Sequence, residues 1–343
     1  MRFLPVLMLI FVIVAGSLIG CGGGGGRPQS SNESIARIQS IELCAHDMVY
    51  NPTDGRIYAS VAYTGGPYSN LVVAIDPSTA TVTASVNAGN YPYKLALSRD
   101  GETLYVAINA AVQQISLPSM TLGQRIDLGS DEFFGPLRVE DIAVSPADSG
   151  IIAISLMCWD LTPRHRGVVI YDNGVRRPTA TSGLTGSNVI EFADDPTLLY
   201  GYDNETTDYG FRRMRVTSEG VSVVDVTYNL IQRSGADIIY ANGLIFSSSG
   251  RVINPEMLQV LRRKDEPNGG KVMAMDVAGH RFFAIDNSAR LRWYDAADFC
   301  EAGEGFLPYT YVDNCTCMTC FGDSGVAVGS DQRVYLVTVG RGN

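Results

Sequence analysis

The sequence predicts an all-β fold, a seven-bladed β-propeller, and three observations point to it. A unit of roughly forty residues recurs along most of the chain. Each unit contains short apolar runs of strand length separated by Asp, Gly, Pro and Asn turns. The last unit has one strand too few, and the segment preceding the first unit has one to spare.

The elements are taken from the N-terminus. Arg2 precedes an apolar run ending at Leu18, Ile19 and Gly20, and Cys21 is followed by glycines from Gly22 to Gly26. A charged start, an apolar core and a small-residue exit make a secretory signal over residues 1–20. A cysteine directly after Leu-Ile-Gly resembles the lipobox of bacterial lipoproteins. The resemblance implies that Cys21 is the acylated N-terminus of the mature protein, with the lipid bilayer as partner. The run is short for a span and lacks a basic stop-transfer flank. Gly22, where Asp would favour inner-membrane retention, makes the outer membrane the first expectation within the bacterial cell envelope. Residues 21–34, rich in Gly, Ser, Pro and Asn, form a flexible tether that has no core to bury. The propeller is expected over residues 35–343.

The repeat is clearest at residues 47–61, 94–109 and 141–155, each an apolar strand, a tight turn and a second strand. Third strands follow at 71–77 and 167–173, then weaker fourth strands. Fainter copies begin near Asn188, Asp237 and Lys271, which makes six blades. Residues 317–339 supply only three strands of a seventh. The segment 35–43 is expected to complete it, because a closed ring leaves no unpaired sheet edge.

Residues 100–109, with Tyr105, Val106 and Asn109, resemble the Tyr-Val-Thr-Asn (YVTN) repeat of bacterial seven-bladed propellers. Here Ala107 and Ile108 stand where the signature has Thr. Residues 74–82 are similar to that repeat's third strand and turn. The pattern is WD40-like in architecture, but two tryptophans in the whole chain leave no recurring Trp-Asp pairs.

Composition narrows the function. With 45% hydrophobic residues the chain can bury a large core, and its formal charge is −10. The basic clusters (Arg164 to Arg166, Arg212 with Arg213, Arg262 to Lys264) are short, so no nucleic-acid partner is expected. Walker, dinucleotide, haem-attachment and EF-hand motifs do not occur, and neither a cofactor nor a metal is indicated.

Propeller topology sorts the connections onto two faces. First-to-second and third-to-fourth turns share one face and are spare turn chemistry. Second-to-third and inter-blade connections share the other, which we call the loop face. It receives Tyr63, Tyr68, Tyr91, Tyr93, Phe133, Phe134, Arg138, Trp159, Arg164, Arg166, Glu205 and Tyr209. Exposed aromatics beside Arg and carboxylates are what recognition surfaces use. His46, Asp47, Lys94, Glu140, Asp141, Asn188, Asp237 and Lys271 open the innermost strands and should ring the mouth of the channel.

Seven cysteines leave six once Cys21 is acylated, and export favours disulfides. Cys300 with Cys315 would pin the last inter-blade loop, and Cys44 with Cys317 or Cys320 would fasten the chain ends. Cys158 stands far from both. The same thiols with His46 have the softness for zinc or copper, but lack a paired motif. His165, between two arginines, is the best candidate acid or base, and His46 and Glu140 complete a weak catalytic set. The expectation is a non-catalytic binding or scaffold module for a protein or glycan partner in the envelope. Two alternatives stay open: a lyase- or lactonase-like enzyme at the channel mouth, and a polysaccharide-binding module built on the loop-face tyrosines and Trp159.

Overall fold

The computed structural model describes residues 33–63, 66–184, 186–263, 272–276, 278, 280–286, 288–308 and 316–341. The signal segment, Cys21, most of the tether, Lys271 and Cys315 lie outside the described residues. Among those described, no helix is long and apolar enough to cross a membrane.

Seven antiparallel four-stranded sheets form the blades of a β-propeller. Blade 1 comprises Ala45–Asn51, Arg56–Val61, Val72–Asp76 and Thr81–Val86, and blade 2 Leu95–Leu97, Thr103–Ile108, Ala111–Ser116 and Thr121–Asp127. Blade 3 is Arg138–Val144, Ile151–Met157, His165–Asp172 and the short Val175–Arg176. Blade 4 is Val189–Phe192, Leu198–Tyr202, Phe211–Thr217 and Gly220–Thr227. Blade 5 follows with Ile238–Ala241, Leu244–Ser247, Arg251–Asn254 and Gln259–Arg263, then blade 6 with Val272–Met275, Arg281–Ile285, Arg290–Asp295 and Glu301–Phe306. Blade 7 combines Cys317–Phe321, Gly325–Gly329 and Arg333–Arg341 with the N-terminal strand Glu33–Glu42, which pairs antiparallel with Arg333–Arg341.

The burial of each strand follows from its place in the blade. Second strands such as Ile151–Met157 are buried on both faces, because a neighbouring blade covers each side, and so they are continuous apolar runs. Outer strands such as Thr81–Val86 alternate exposed and half-buried residues. Asx turns set the hairpins: Asp54 Oδ1 accepts the Arg56 N–H at 3.1 Å and Asp100 Oδ1 the Glu102 N–H at 2.9 Å. Gly55 and Gly101 take the left-handed conformation (φ 71° and 75°) that these Asp-Gly turns require.

The core is divided rather than central. Each apolar cluster is shared by two adjacent blades: Tyr58 with Leu104 between blades 1 and 2, Ile154 with Tyr105 between 2 and 3, Phe283 with Val328 between 6 and 7. Ile57 and Val73 meet Ala327 and Leu336 across the junction of blades 7 and 1.

The expected bridge from Cys44 to Cys317 or Cys320 is corrected, since none of Cys44, Cys158, Cys317 and Cys320 forms a disulfide. Cys317 and Cys320 are an odd number of residues apart on one strand, so they face opposite sides of the sheet. Cys317 packs toward blade 1 and Cys320 toward blade 6. Cys300 is disulfide-bonded, and its expected partner Cys315 is outside the described residues.

Candidate functional site

A bulge repeated in two blades builds the mouth of the channel. The inner strand of blade 1 shifts register between Ala45 and Asp47, and that of blade 3 between Val139 and Asp141, so His46 and Glu140 are the extra residues. Bulges re-aim side chains. Here they send His46 and Glu140 to the loop face while Asp47 and Asp141 face the channel side, where their carboxylates sense the Lys94 ammonium. Those two aspartates also bridge inner strands: Asp47 Oδ2 accepts the Leu95 N–H at 2.9 Å, and Asp141 Oδ2 the Ile190 N–H at 2.8 Å.

On the loop face, four side chains form a continuous chain across blades 1 to 3. The His46 ring lies 5.1 Å from that of Tyr91, and its Nδ1 is 2.9 Å from the Pro92 carbonyl oxygen. Tyr91 meets Trp159 edge-on at 5.4 Å, and the Arg138 guanidinium stands 4.1 Å over the Trp159 ring. Tyr91 is held at φ 58° by the side chain of Asn70, whose Oδ1 accepts the Tyr91 N–H at 2.6 Å. A non-glycine residue costs energy in that conformation. Trp159 is 45% and Tyr91 38% exposed, so their rings remain available despite these contacts. Nearby, Arg166 covers Phe134 at 4.7 Å, while Phe133 and Tyr63 project into solvent.

The other residues expected here divide into those that present a surface and those that support it. Tyr68 and Tyr209 are half-buried against the blade cores, and the Tyr93 hydroxyl donates to the Val139 carbonyl at 2.7 Å. Arg164 bonds Glu140 through Nε at 2.5 Å, and its N–H donates to the Glu205 carboxylate at 3.0 Å. Asn188 Nδ2 adds a second bond to Glu140 at 2.9 Å.

The weak catalytic set separates. His46 belongs to the exposed aromatic chain, whereas Glu140 and His165 meet within blade 3, where His165 is 1% exposed. His165 Nδ1 lies 3.3 Å from Ser155 Oγ and 3.6 Å from Glu140 Oε2, so serine and acid crowd the same ring nitrogen. A nucleophilic triad needs them at opposite nitrogens. Ser155 is fully buried and donates to the Ser187 carbonyl at 2.7 Å.

The channel holds charged residues expected at its mouth together with Glu191, which the sequence did not single out. Lys94 Nζ is 3.7 Å from Asp141 Oδ1, and Asp47 and Asp237 also act on Lys94. Burial alone would lower the Lys94 pKa; the surrounding carboxylates outweigh it and raise it, keeping the ammonium charged. Burial raises Asp141 to about 7, against the pull of Lys94 and with the repulsion of Asp237. Glu191 goes well above the ordinary glutamate range through burial, then Asp141 and Asp237. Beyond this charged layer a cavity of about 380 Å³ runs along the inner strands of blades 2 to 5 to the hairpin face, with Glu191 in its wall. The only sequence signal for it was a glutamate inside an otherwise apolar inner strand, Val189–Phe192.

No protein-family model matches the chain, and no curated protein matches it in sequence. Among solved structures 1747 chains match its fold, so the architecture by itself selects no function. One is the hydrazine synthase of Kuenenia stuttgartiensis, at a TM-score of 0.65 and 14% identity, over 88% of this chain and 96% of that one.

Proposed function

We propose that this protein is an envelope lipoprotein whose propeller binds a protein partner through its loop face, without catalysis. The observation that carries the reading is the exposed chain His46, Tyr91, Trp159 and Arg138, a rigid aromatic surface with a cation fixed on it. Interface energy concentrates in Trp, Tyr and Arg. The strained backbone of Tyr91 gives the ring one presentation before any partner arrives, which reduces the ordering cost of binding. The rival enzyme reading has less support, since His165 is buried and already partnered. We assign the acyl anchor to Cys21, the membrane to the outer one, and the partner of Cys300 to Cys315.

Chemical crosslinking in native envelopes, followed by capture of the full chain, tests the binding face. The double substitution Trp159→Ala with Arg138→Ala should reduce partner recovery at least about tenfold, as loss of two anchoring side chains implies. Met257→Ala, on an exposed turn of the opposite face, should leave recovery unchanged. Equal recovery from the double variant would overturn the assignment, and capture of glycan alone would overturn the protein partner. For the anchor, Cys21→Ser should abolish acyl labelling and move the protein from the membrane to the soluble fraction. Unchanged fractionation would refute it.

A further inference from the structure

The channel cavity is the feature that loop-face binding leaves unused. It begins just past the Lys94 and Asp141 ion pair and ends at the hairpin turns, where Arg99 Nη2 lies 3.9 Å from Asp194 Oδ1. Its volume of about 380 Å³ is that of a small-molecule site. Leu95, Ile142, Val144 and Phe192 give it apolar walls, and Tyr240 stands near its mouth. Glu191 lines it without a hydrogen-bond or ion-pair partner among the described residues. A half-buried carboxyl in an apolar wall with no partner of its own is costly when charged.

The local charge is unbalanced in one direction. Asp47, Asp141, Asp237 and Glu191 surround one described ammonium, that of Lys94, which sits against Asp141 at 3.7 Å. Glu191 faces Asp141 and Asp237 as well as Lys94, and the two aspartates act on it more strongly than the lysine. A cation entering the cavity would relieve that repulsion. A divalent metal is a poor match, because it needs several oxygen ligands and no cluster of three ligating side chains occurs among the described residues. One carboxyl set in an apolar wall suits one ammonium on an apolar body.

We propose that the channel cavity is a binding site for a small organic cation, a protonated amine with a short apolar body, held by Glu191 and entered from the hairpin face. Loop-face partner and channel ligand then occupy opposite ends of the ring. Burial, then the nearby Asp141 and Asp237 carboxylates, push the Glu191 carboxyl well above the ordinary glutamate range. Amine binding forms an ammonium–carboxylate pair with Glu191.

Calorimetry on the full chain in detergent, with phenethylamine and its neutral counterpart 2-phenylethanol as probes, tests this. The amine should bind at least about tenfold more tightly than the alcohol at pH 7. Glu191→Gln, which removes the charge and keeps the shape of the side chain, should bring amine and alcohol to equal affinity. Ala143→Leu, which fills the cavity wall without changing charge, should weaken both probes. Equal affinities in the parent protein, a preference that survives Glu191→Gln, or amine binding untouched by Ala143→Leu would each overturn the proposal. These outcomes leave the loop-face reading unaffected, since none of the substituted residues lies on that face.

Discussion

His165 is fixed from both sides of its ring. Nε2 accepts the Ser187 N–H at 3.4 Å, which leaves the proton on Nδ1, facing Ser155 Oγ and Glu140 Oε2. Gly186 passes directly behind the ring, where a Cβ would stand 2.1 Å from Nε2. Its carbonyl is held in place by Arg212 Nη1 at 2.7 Å, so the backbone has little room to retreat. Gly186→Ala should therefore destabilise the fold by about 1–3 kcal/mol, the usual penalty for overpacking a core. Urea unfolding would measure it. The same substitution in a His165→Ala background should cost much less, because the colliding ring is gone. Equal cost in the two backgrounds would show that the ring is not the obstacle. From the sequence, His165 between two arginines had the composition of an exposed acid or base. Its burial depends on the third strand of blade 3 starting at His165 itself, a boundary that no local residue pattern marks.

At the level of the strand, legibility followed turn chemistry. Blades 1 and 2 carry Asp-Gly turns between apolar runs, and both units emerge as four-stranded sheets. Blade 3 was legible in its first three strands only. Its outer strand stops at Arg176, after which Thr179 forms a parallel bridge with Gly220 of blade 4. The Thr179 N–H donates to the Glu219 carbonyl at 2.7 Å, so the chain laces two blades together instead of finishing one. Gly220 permits that approach, since a Cβ there would meet the Thr179 carbonyl oxygen at 2.0 Å. Long-range pairing of this kind has no periodic signature. The hairpin of Ser130–Asp131 with Gly135–Pro136 was likewise hidden inside a loop of mixed composition. Ser60 and Ser155 occupy matching positions in the second strands of blades 1 and 3, opposite Asp47 and Asp141. Ser60 Oγ donates to the Tyr93 carbonyl at 2.6 Å and Ser155 Oγ to the Ser187 carbonyl at 2.7 Å, each tying a second strand to the chain that enters the next blade. The loop-face aromatics were readable because topology sorts loops by face, whereas Glu191 was not, because a strand residue lining a channel looks in sequence like one buried between blades.

For the whole molecule, the ring arrangement sorts carboxylates into two populations with opposite effects on stability. Asp76, Asp100, Asp172 and Asp195 sit at exposed turns, where hydrogen bonds from neighbouring side chains and N–H groups lower their pKa. Asp47, Asp141 and Glu191 line the channel, where burial raises theirs, Asp141 to about 7. Because these groups repel one another around Lys94, the proton taken up near neutrality belongs to the cluster rather than to Asp141 alone. Between the ordinary carboxylate range and about pH 7 the folded ring binds more protons than the unfolded chain. Stability then falls as pH rises. Below that interval the turn aspartates act in the other sense, because their lowered pKa contributes stability that is lost as they protonate. The melting temperature should accordingly pass through a maximum near pH 5 and decline toward pH 8. In Glu191→Gln the decline should be shallower, because one of the groups that must ionise inside the channel is gone. Differential scanning calorimetry at constant ionic strength would follow both curves. A melting temperature that is flat or rises from pH 5 to pH 8 would mean that the channel carboxylates are compensated, and would remove the electrostatic basis of a cation-binding channel along with it.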